Sequence, residues 1–307
     1  MEASITLKNI SKHFDKKYAL SNLTLGVEKG SVFAVTGRSG AGKSTLLRVL
    51  STMMTPDEGL LFINEKECPG NEAEVKRSIG YLPDHDIHDP WLTGWENLQQ
   101  TARLLEIPED EFERRAKLLI ADYQLEDVIH ECPVVYSKGK KRILDIIQVL
   151  LNDPEILILD EPFQGLDYYA TNVLNNYLIS QYGKKTIVIA SHEFSVIQTF
   201  ADRWIVLHQG KIRFDGTLEK MASQVDVPFI GYILFKQPNG EFLESIKGIE
   251  GITEIRNRQN TVEIVADGFD GFSQIMKKID FDTVISIGCN AVRIDEFINQ
   301  LLSDEGF

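Results

Sequence analysis

The sequence predicts an α/β fold in which buried parallel strands carry polar residues at their carboxyl ends. Three short apolar runs, at residues 32–35, 156–159 and 186–190, are typical of strands covered on both faces. A glycine-rich loop follows the first run, an acidic pair follows the second and a histidine follows the third. The carboxyl ends of such strands face the ligand crevice of an open α/β sheet, so we expect these polar segments to share one site.

The glycine-rich loop has the spacing of a phosphate-binding loop, G-x-x-x-x-G-K-[ST]. Its residues are Gly37, Arg38, Ser39, Gly40, Ala41, Gly42, Lys43, Ser44 and Thr45. Glycines let backbone N–H groups surround a phosphate, and the positive end of the helix predicted at Lys43–Leu50 attracts the anion. We therefore expect Lys43 to contact a nucleoside triphosphate and the Ser44 hydroxyl to hold Mg²⁺. A chance glycine-rich turn would not account for the strand before the loop and the helix after it.

Composition narrows the class of protein. The 307 residues suggest one large domain or two ordinary ones, and the formal net charge of −14 argues against nucleic acid as the main ligand. No signal peptide is predicted, and no run approaches the roughly 18–20 apolar residues of a membrane helix. The three cysteines are far apart, which favours reduced thiols in the cytosol.

Alternating apolar and polar residues predict two strands near the N-terminus, Ile5–Ile10 and Leu23–Val27. Phe14 is predicted to lie in a polar turn between them. An aromatic residue in an early loop is most often part of the core, and the alternative is a platform on which an adenine ring stacks. Two further short strands are predicted at Leu60–Asn64 and Ser78–Leu82.

The segment at residues 84–89 places two histidines among carboxylates, with the spacing H-x-x-H. This pattern permits two interpretations, a metal site and a flexible polar loop. Because nothing nearby in the sequence completes a set of zinc ligands, we expect the polar loop.

The chain from about His88 to Leu151 is predicted to be mostly helical. Thr93 and Glu96 have the spacing of a capping box that opens a helix running to about Leu105. A second helix is predicted after Pro108, with acidic residues in its first turn, as the helix dipole prefers.

Ser137 is predicted to cap a third helix, whose apolar residues follow the i, i+3, i+4, i+7 pattern. Its first turn carries several cations, although cations are unfavourable at the positive end of a helix. These residues are Lys138, Lys140, Lys141 and Arg142. Either an anion approaches this helix end, or the basic turn is solvated and paired with surface acids.

The two later buried strands end in residues suited to phosphate chemistry. Asp160 is placed to reach the Mg²⁺ held by Ser44, and Glu161 is placed to polarise an attacking water. His192 is placed to contact a terminal phosphate. The alternatives are a surface acidic turn for the carboxylates and a structural role for the histidine.

Over roughly residues 4–222 the order of these motifs resembles the ATP-binding subunit of ABC transporters. The loop at residues 37–45 resembles Walker A, the segment at residues 156–161 resembles Walker B, and His192 stands where the family has its switch histidine. The resemblance implies a P-loop NTPase fold of ABC type, with an antiparallel β subdomain and a helical subdomain at about residues 88–151. It also implies ATP and Mg²⁺ as ligands, with Glu161 as the catalytic carboxylate.

Other motifs of the family imply a paired arrangement of two ATP-binding subunits. Residues 136–140 resemble the signature motif, in which Ser137 and Gly139 match, and residues 165–167 resemble the D-loop. In the family, two subunits pack head to tail, so each ATP lies between one phosphate loop and the partner's signature. The resemblance thus implies that Ser137, Gly139 and Asp167 serve the ATP of the partner subunit.

The segment at residues 79–83 resembles the region before the Q-loop, and Phe14 stands where the family has its adenine-stacking aromatic residue. Two departures from the family pattern stand out. Asp84 replaces the Q-loop glutamine, which puts its role in coupling to the membrane partner in doubt while leaving a place among the Mg²⁺ ligands. Lys138 and Lys140 replace the commonest glycine and glutamine of the signature, a form similar to the drug- and antibiotic-exporter branch.

The remainder of the chain is predicted to form a second domain at residues 228–307, joined to the ATP-binding domain at residues 1–222 through a linker at 223–228. The order βαββαβ suggests a small ferredoxin-like α+β domain. It is expected to support the dimer or regulate it, or to be a plain stabilising appendage. Residues 293–297 resemble the ending of exporter-type subunits.

The sequence as a whole predicts an ATPase at the cytoplasmic face of the membrane, where it powers a separate permease, with export implied by resemblance. One alternative is a soluble ABC ATPase that acts on a non-transport partner. Another is a nucleotide-gated regulatory module with weak hydrolysis, prompted by Asp84 and Lys140. Because substrate contacts of the family lie in the permease, the sequence names no transported substrate.

Overall fold

The computed structural model describes residues 3–15, 17–192, 194–222, 229–237, 239–266, 274–290, 297 and 301 of the chain. The chain divides into two units, Met1–Gly216 and Thr217–Phe307. In the described residues, no helix combines the length and the apolar character needed to cross a bilayer.

The first unit is built on a six-stranded sheet whose strand order is β10-β9-β3-β8-β7-β6. Its strands are β3 (Val32–Thr36), β6 (Ile79–Leu82), β7 (Ile156–Asp160), β8 (Thr186–Ala190), β9 (Arg203–His208) and β10 (Lys211–Gly216). All neighbours are parallel except β10, which pairs antiparallel with β9. Every residue of β3, β7 and β8 is buried, as their continuous apolar runs predict.

A second, antiparallel sheet in this unit has the order β2-β1-β4-β5. Its strands are β1 (Ala3–Phe14), β2 (Lys17–Glu28), β4 (Glu58–Ile63) and β5 (Lys66–Cys68). Side chains from both sheets pack around the first helix in one core, which includes Leu7, Leu25, Leu47 and Ile158. The first strand is longer than predicted because Phe14 pairs with Lys17 across the hairpin, so Phe14 ends a strand and does not lie in the turn.

Helices of the first unit connect the strands. They are α1 (Lys43–Leu50), α2 (Glu72–Ser78), α3 (Gly94–Leu104), α4 (Glu109–Asp122), α5 (Lys138–Leu150), α6 (Tyr168–Ser180) and α7 (Phe194–Ile197), with a 3₁₀ turn at Pro133–Val135. The predicted helical region is confirmed, with the capping box of Thr93 and Glu96 at the start of α3 and the Ser137 cap at the start of α5. The chain that connects β6 to β7 is thus mostly helical, from α3 to α5.

The second unit has a four-stranded antiparallel sheet with the order β12-β13-β11-β14. Its elements are α8 (Leu218–Ala222), β11 (Phe229–Phe235), α9 (Gly240–Ile246), β12 (Ile252–Arg258), β13 (Thr261–Ala266), a helical stretch at 274–276, a 3₁₀ turn (Phe281–Thr283) and β14 (Val284–Asn290). Residues of α9 and Ile275 pack with Ile233 and Ile264 of the sheet in one core. The predicted βαββαβ order is confirmed. The predicted linker at 223–228 and most of the segment at 291–307, including 293–296, lie outside the described residues.

The central sheet gives a test of this packing. Ile158 is fully buried in the middle of β7, whereas Ile179 near the end of α6 is 43% exposed. We expect Ile158→Ala to lower the free energy of unfolding by about 2–5 kcal/mol, since it removes core methylenes and leaves a cavity. Ile179→Ala, the matched control, is expected to change it by less than about 1 kcal/mol. Urea unfolding followed by tryptophan fluorescence measures both, and equal losses would contradict the assigned core.

Candidate functional site

The phosphate-binding loop leaves the carboxyl end of β3, the strand between β8 and β9. Glycine is required at two of its positions. Gly37 and Gly42 have φ angles of 145° and 109°, and a Cβ atom there would lie 2.2 Å from Leu207 O and 2.4 Å from Ala19 O, respectively. The close approach of neighbouring backbone therefore excludes a side chain at both positions, and α1 begins directly after the loop.

Lys43 folds back over this loop. Its ammonium donates to Gly37 O at 2.8 Å and to Arg38 O at 3.3 Å. Burial lowers the pKa of Lys43, while the carboxylates of Glu161 and Asp160 act in the opposite direction. The residue is 9% exposed, so a largely desolvated cation sits beside the loop amides.

Asp160 ends β7, two strands away from β3, and its side chain reaches the hydroxyl of Ser44. The residue is 1% exposed, and its Oδ2 atom has no hydrogen-bond partner among the described residues. Burial raises the pKa of Asp160, the hydrogen bond with Ser44 lowers it, and the charges of Asp84 and Glu161 raise it further.

This donor set fits a magnesium ion. A hydroxyl and carboxylates are hard oxygen ligands, which Mg²⁺ prefers. The unpartnered Oδ2 of Asp160 and the mutual repulsion of Asp160, Asp84 and Glu161 are both relieved by a divalent cation. The residues that would hold it are Ser44, Asp160 and Asp84.

Glu161 adopts an unusual backbone conformation for a residue with a side chain, with φ at 47°. Its N–H donates to Ala190 O of β8 at 2.7 Å. The backbone N–H of His192 donates to Glu161 Oε2 at 3.2 Å, and the Nε2 atom of His192 lies 3.4 Å from Oε1. The ends of β7 and β8 therefore hold the acidic and the imidazole side chains against each other.

These groups border one cavity of about 770 Å³. The predicted site residues that line it are Phe14, Ser39, Gly40, Gly42, Lys43, Ser44, Thr45, Asp84, Asp160, Glu161 and His192. Gly37, Arg38 and Ala41 shape the loop behind this lining. Sequence reasoning missed Lys17, Tyr18, Gln164 and Gln209, which also line the cavity, although the position of Tyr18 in the hairpin that carries Phe14 was an available signal.

Phe14 lies at the mouth of the cavity and is 50% exposed, so it is not a core residue. The ammonium of Lys12 lies 5.9 Å from the centre of its ring. Tyr18, from the paired strand, is also half exposed and lines the same cavity. This mouth presents aromatic surface to a ligand.

The signature and D-loop residues do not join this cavity in the described part of the chain. Ser137 caps α5 by accepting from the N–H of Lys140 at 3.2 Å, and Asp167 caps α6 by accepting from Ala170. A Cβ atom on Gly139 would lie 2.8 Å from Gly165 O, so signature and D-loop touch within one subunit. They form a second surface, separate from the phosphate loop.

Two of the cations at the start of α5 have different roles, which the sequence did not distinguish. Lys140 pairs with Asp127 at 2.6 Å, as the interpretation of a paired surface turn predicts. Arg142 does not belong to a solvated turn, because it is 6% exposed and its guanidinium points into the unit. The helix geometry turns this residue toward the sheet.

The H-x-x-H segment is a polar loop, as expected, but it is held at His88, its one buried residue. His88 is buried, and its Nδ1 atom lies 2.7 Å from Asp145 Oδ1 of α5. The ligand atoms of Asp86, His88 and Asp145 all lie within 4.8 Å of one another, so a carboxylate distant in sequence joins this histidine. His85 instead faces Asp84, with its Nδ1 atom 3.1 Å from Oδ1.

Comparisons with known proteins agree with this geometry. A family model described as ABC transporter matches residues 20–164. The ABC transporter ATP-binding protein NatA of Bacillus subtilis is 30% identical over 240 residues, which cover 76% of this chain and 97% of that protein. The daunorubicin resistance ATP-binding protein DrrA3 of Streptomyces coeruleorubidus is 29% identical over 279 residues, which cover 91% of this chain and 88% of that protein.

Solved structures show the same fold. The structure of an ATP-binding subunit of an ABC transporter is 29% identical, with a TM-score of 0.68, and the match covers 72% of this chain and 92% of that one. A dimeric ATP-binding cassette in a post-hydrolysis state, bound to ADP and Pi, is 26% identical with a TM-score of 0.62, covering 70% and 98%. The P-loop fold, the nucleotide cavity and these relatives together place the chain in the family of ABC transporter ATP-binding proteins.

Proposed function

We propose that this chain is an ATP-binding and ATP-hydrolysing subunit that dimerises around ATP and powers a separate membrane permease. The observation that carries the proposal is the convergence of Lys43, Ser44, Asp160, Glu161 and His192 on one cavity. These residues come from three strand ends and supply the cation, the metal ligands and the base that phosphoryl transfer requires.

The loop and the cavity mouth would divide the recognition of ATP between them. Backbone N–H groups of the loop and the Lys43 ammonium would bind the phosphates, because Ser39, Gly40 and residues 42–45 line the cavity at the start of α1. Phe14 would stack on the adenine, with Tyr18 beside it. Mg²⁺, when bound by Ser44, Asp160 and Asp84, would offset negative charge on the phosphates.

Hydrolysis would depend on Glu161 and His192. Glu161 lines the cavity beside Asp160 and would accept a proton from the attacking water. The backbone N–H of His192 donates to the Glu161 carboxylate, so the two side chains are placed together at the position proposed for the terminal phosphate.

A dimer would bring the second surface into use. Ser137, Gly139 and Asp167 lie outside the cavity of their own subunit, which supports a role toward the ATP of a partner subunit. The dimeric solved relative bound to ADP and Pi supports the same arrangement. The partner would be a second copy of this chain or a different ATP-binding subunit.

The permease would dock next to Asp84. A groove of about 960 Å³ is lined by His85, the neighbour of Asp84, and by the exposed side chains of Met53 and Leu104. An apolar cytoplasmic segment of the permease would fill it and hold the subunit at the membrane. Export as the direction rests on the signature at residues 136–140, which resembles that of the drug- and antibiotic-exporter branch.

The Asp84 carboxylate favours a second candidate function, a nucleotide-gated module with weak hydrolysis. Asp84 adds negative charge beside Asp160, where the family has a neutral glutamine.

We propose in addition that residues 1–222 form the ATP-binding domain and that residues 228–307 form an accessory domain.

Stacking on Phe14 can be tested by binding. We expect Phe14→Ala to raise the Kd for MgATP about 5–150-fold, because base–aromatic stacking contributes about 1–3 kcal/mol. The Kd for inorganic tripolyphosphate, which has no base, should stay within about twofold. Isothermal titration measures both ligands. A parallel loss for ATP and tripolyphosphate would contradict the stacking role.

The role of Glu161 can be tested by steady-state hydrolysis. We expect Glu161→Gln to lower kcat by about 10²–10⁴-fold, because the amide cannot accept the proton from water. The same variant should accumulate as an ATP-bound dimer in size-exclusion chromatography. Glu113→Gln, which changes an exposed glutamate paired with Lys117 on α4, is the control and should hydrolyse ATP normally. Hydrolysis by Glu161→Gln at the parent rate would contradict the assignment.

The role of Asp84 can be tested by magnesium dependence. We expect Asp84→Gln to raise the Mg²⁺ concentration for half-maximal ATPase activity roughly 3–10-fold, because one carboxylate is lost from the ion's surroundings. Activity of both proteins should disappear with excess chelator and return with Mg²⁺. An unchanged magnesium requirement would exclude Asp84 from the metal site.

A further inference from the structure

Arg142 is a buried cation that the proposed mechanism does not use. It belongs to the first turns of α5, five residues after Ser137, and is 6% exposed. Its Nη1 atom donates to Pro83 O at 2.7 Å, and its Nη2 atom donates to Asp160 O at 2.7 Å and to Glu161 O at 2.9 Å. One guanidinium therefore binds three backbone carbonyls from two separate segments of the site.

The three carbonyls belong to peptide units next to Asp84 and Glu161. Pro83 O belongs to the peptide unit that precedes Asp84, and Asp160 O belongs to the unit that precedes Glu161. Glu161 O belongs to the unit that follows Glu161, and it also accepts from the N–H of Gln164 at 3.2 Å. Arg142 thus fixes the peptide units on both sides of the proposed base.

These hydrogen bonds matter because the backbone conformation of Glu161 is unfavourable in isolation. Its φ of 47° lies in the left-handed region, which a glutamate adopts only when its surroundings hold it there. The N–H of Glu161 is held by Ala190 O at 2.7 Å, and its carbonyl is held by Arg142. Loss of either contact would weaken the hold on this backbone conformation.

Nearby carboxylates offset the cost of burying the Arg142 guanidinium. Burial lowers the pKa of Arg142, and the carboxylates of Asp145, Asp160, Asp84 and Asp86 act in the opposite direction. The planar fork of arginine carries its donors on separate nitrogens and so reaches carbonyls of two segments, whereas lysine donates from one nitrogen only. Arg142 therefore contributes a specific arrangement of hydrogen-bond donors as well as a positive charge.

The next turn of α5 holds the other side of the Asp84 loop. Asp145 Oδ1 accepts from the backbone N–H groups of Ile87 at 3.3 Å and of His88 at 3.1 Å. Together with the bond from Arg142 to Pro83 O, this contact ties the loop to α5 before and after Asp84.

We propose that Arg142 is a positioning residue for ATP hydrolysis, which fixes the peptide units around Glu161 and so aims the Glu161 carboxylate at the bound nucleotide. The inference rests on the proposed ATPase function. Because Arg142 lies on the helix that Ser137 caps, a displacement of α5 by the partner's ATP would be transmitted directly to Glu161.

The test compares Arg142→Lys with a matched control in the full chain. Lysine keeps the charge but reaches fewer carbonyls, so we expect kcat to fall about 10–100-fold, as small misplacements of a catalytic group do. The Kd for MgATP should change less than about threefold, because Arg142 does not line the cavity. The control is Arg115→Lys. The guanidinium of Arg115 also binds a backbone carbonyl, Leu151 O at 3.0 Å, but neither residue lines the cavity, so kcat should not change.

A double-mutant cycle separates positioning from a general structural role. If Arg142 acts through Glu161, then Arg142→Lys should lower the residual rate less than about twofold in the Glu161→Gln background. Equal fold losses in both backgrounds would overturn the proposal, and so would a loss of MgATP affinity that matches the loss of kcat.

Folding and function are checked separately. The thermal unfolding midpoint of Arg142→Lys is expected within about 5 °C of the parent, and unfolding at the assay temperature would overturn the proposal by assigning Arg142 to the fold. Absence of ATPase activity in the unsubstituted protein would count against the proposed function. An active parent with an equally active Arg142→Lys would remove only the positioning role.

Discussion

The site depends on the contact between the Ser44 hydroxyl and the Asp160 carboxylate. Ser44 follows β3 and Asp160 ends β7, and these strands are separated in the sheet by β8. Because all three strands are parallel, their carboxyl ends open on the same edge, and the loop, the acidic pair and the histidine segment meet there. Without this alignment, the phosphate loop would lack the groups that are proposed as metal ligands and as the base.

Buried charge is concentrated at this edge of the sheet. Lys43, Asp160 and Arg142 are each less than a tenth exposed, and each shows a pKa shift caused first by burial. The cations are partly compensated by backbone carbonyls, whereas Asp160 keeps an unpartnered oxygen and feels Asp84 and Glu161 nearby. A metal-bound triphosphate, as proposed, would supply positive charge to the carboxylates and negative charge to Lys43 and the loop amides.

Local patterns predicted much of the fold and of the site. Buried strands, the Thr93 and Ser137 caps and the phosphate loop follow from spacing within about ten residues, and the structure agrees with each. Contacts between distant segments were not accessible in this way. The pairing of His88 with Asp145, 57 residues later, attaches an otherwise exposed polar loop to α5. Arg142 was grouped with its charged neighbours, because charge alone does not say that the helix turns it toward the sheet.

The central claim is that the segments after β3 and at the end of β7 bind one metal-bound triphosphate. A crystal structure of Glu161→Gln with ATP and Mg²⁺ tests it most directly. The account predicts an ion about 2.0–2.1 Å from Ser44 Oγ, with Asp160 in its coordination sphere or one water away and the Lys43 ammonium on the terminal phosphates. An ATP that binds elsewhere, or a Ser44 and an Asp160 too far apart to share the ion, would contradict it.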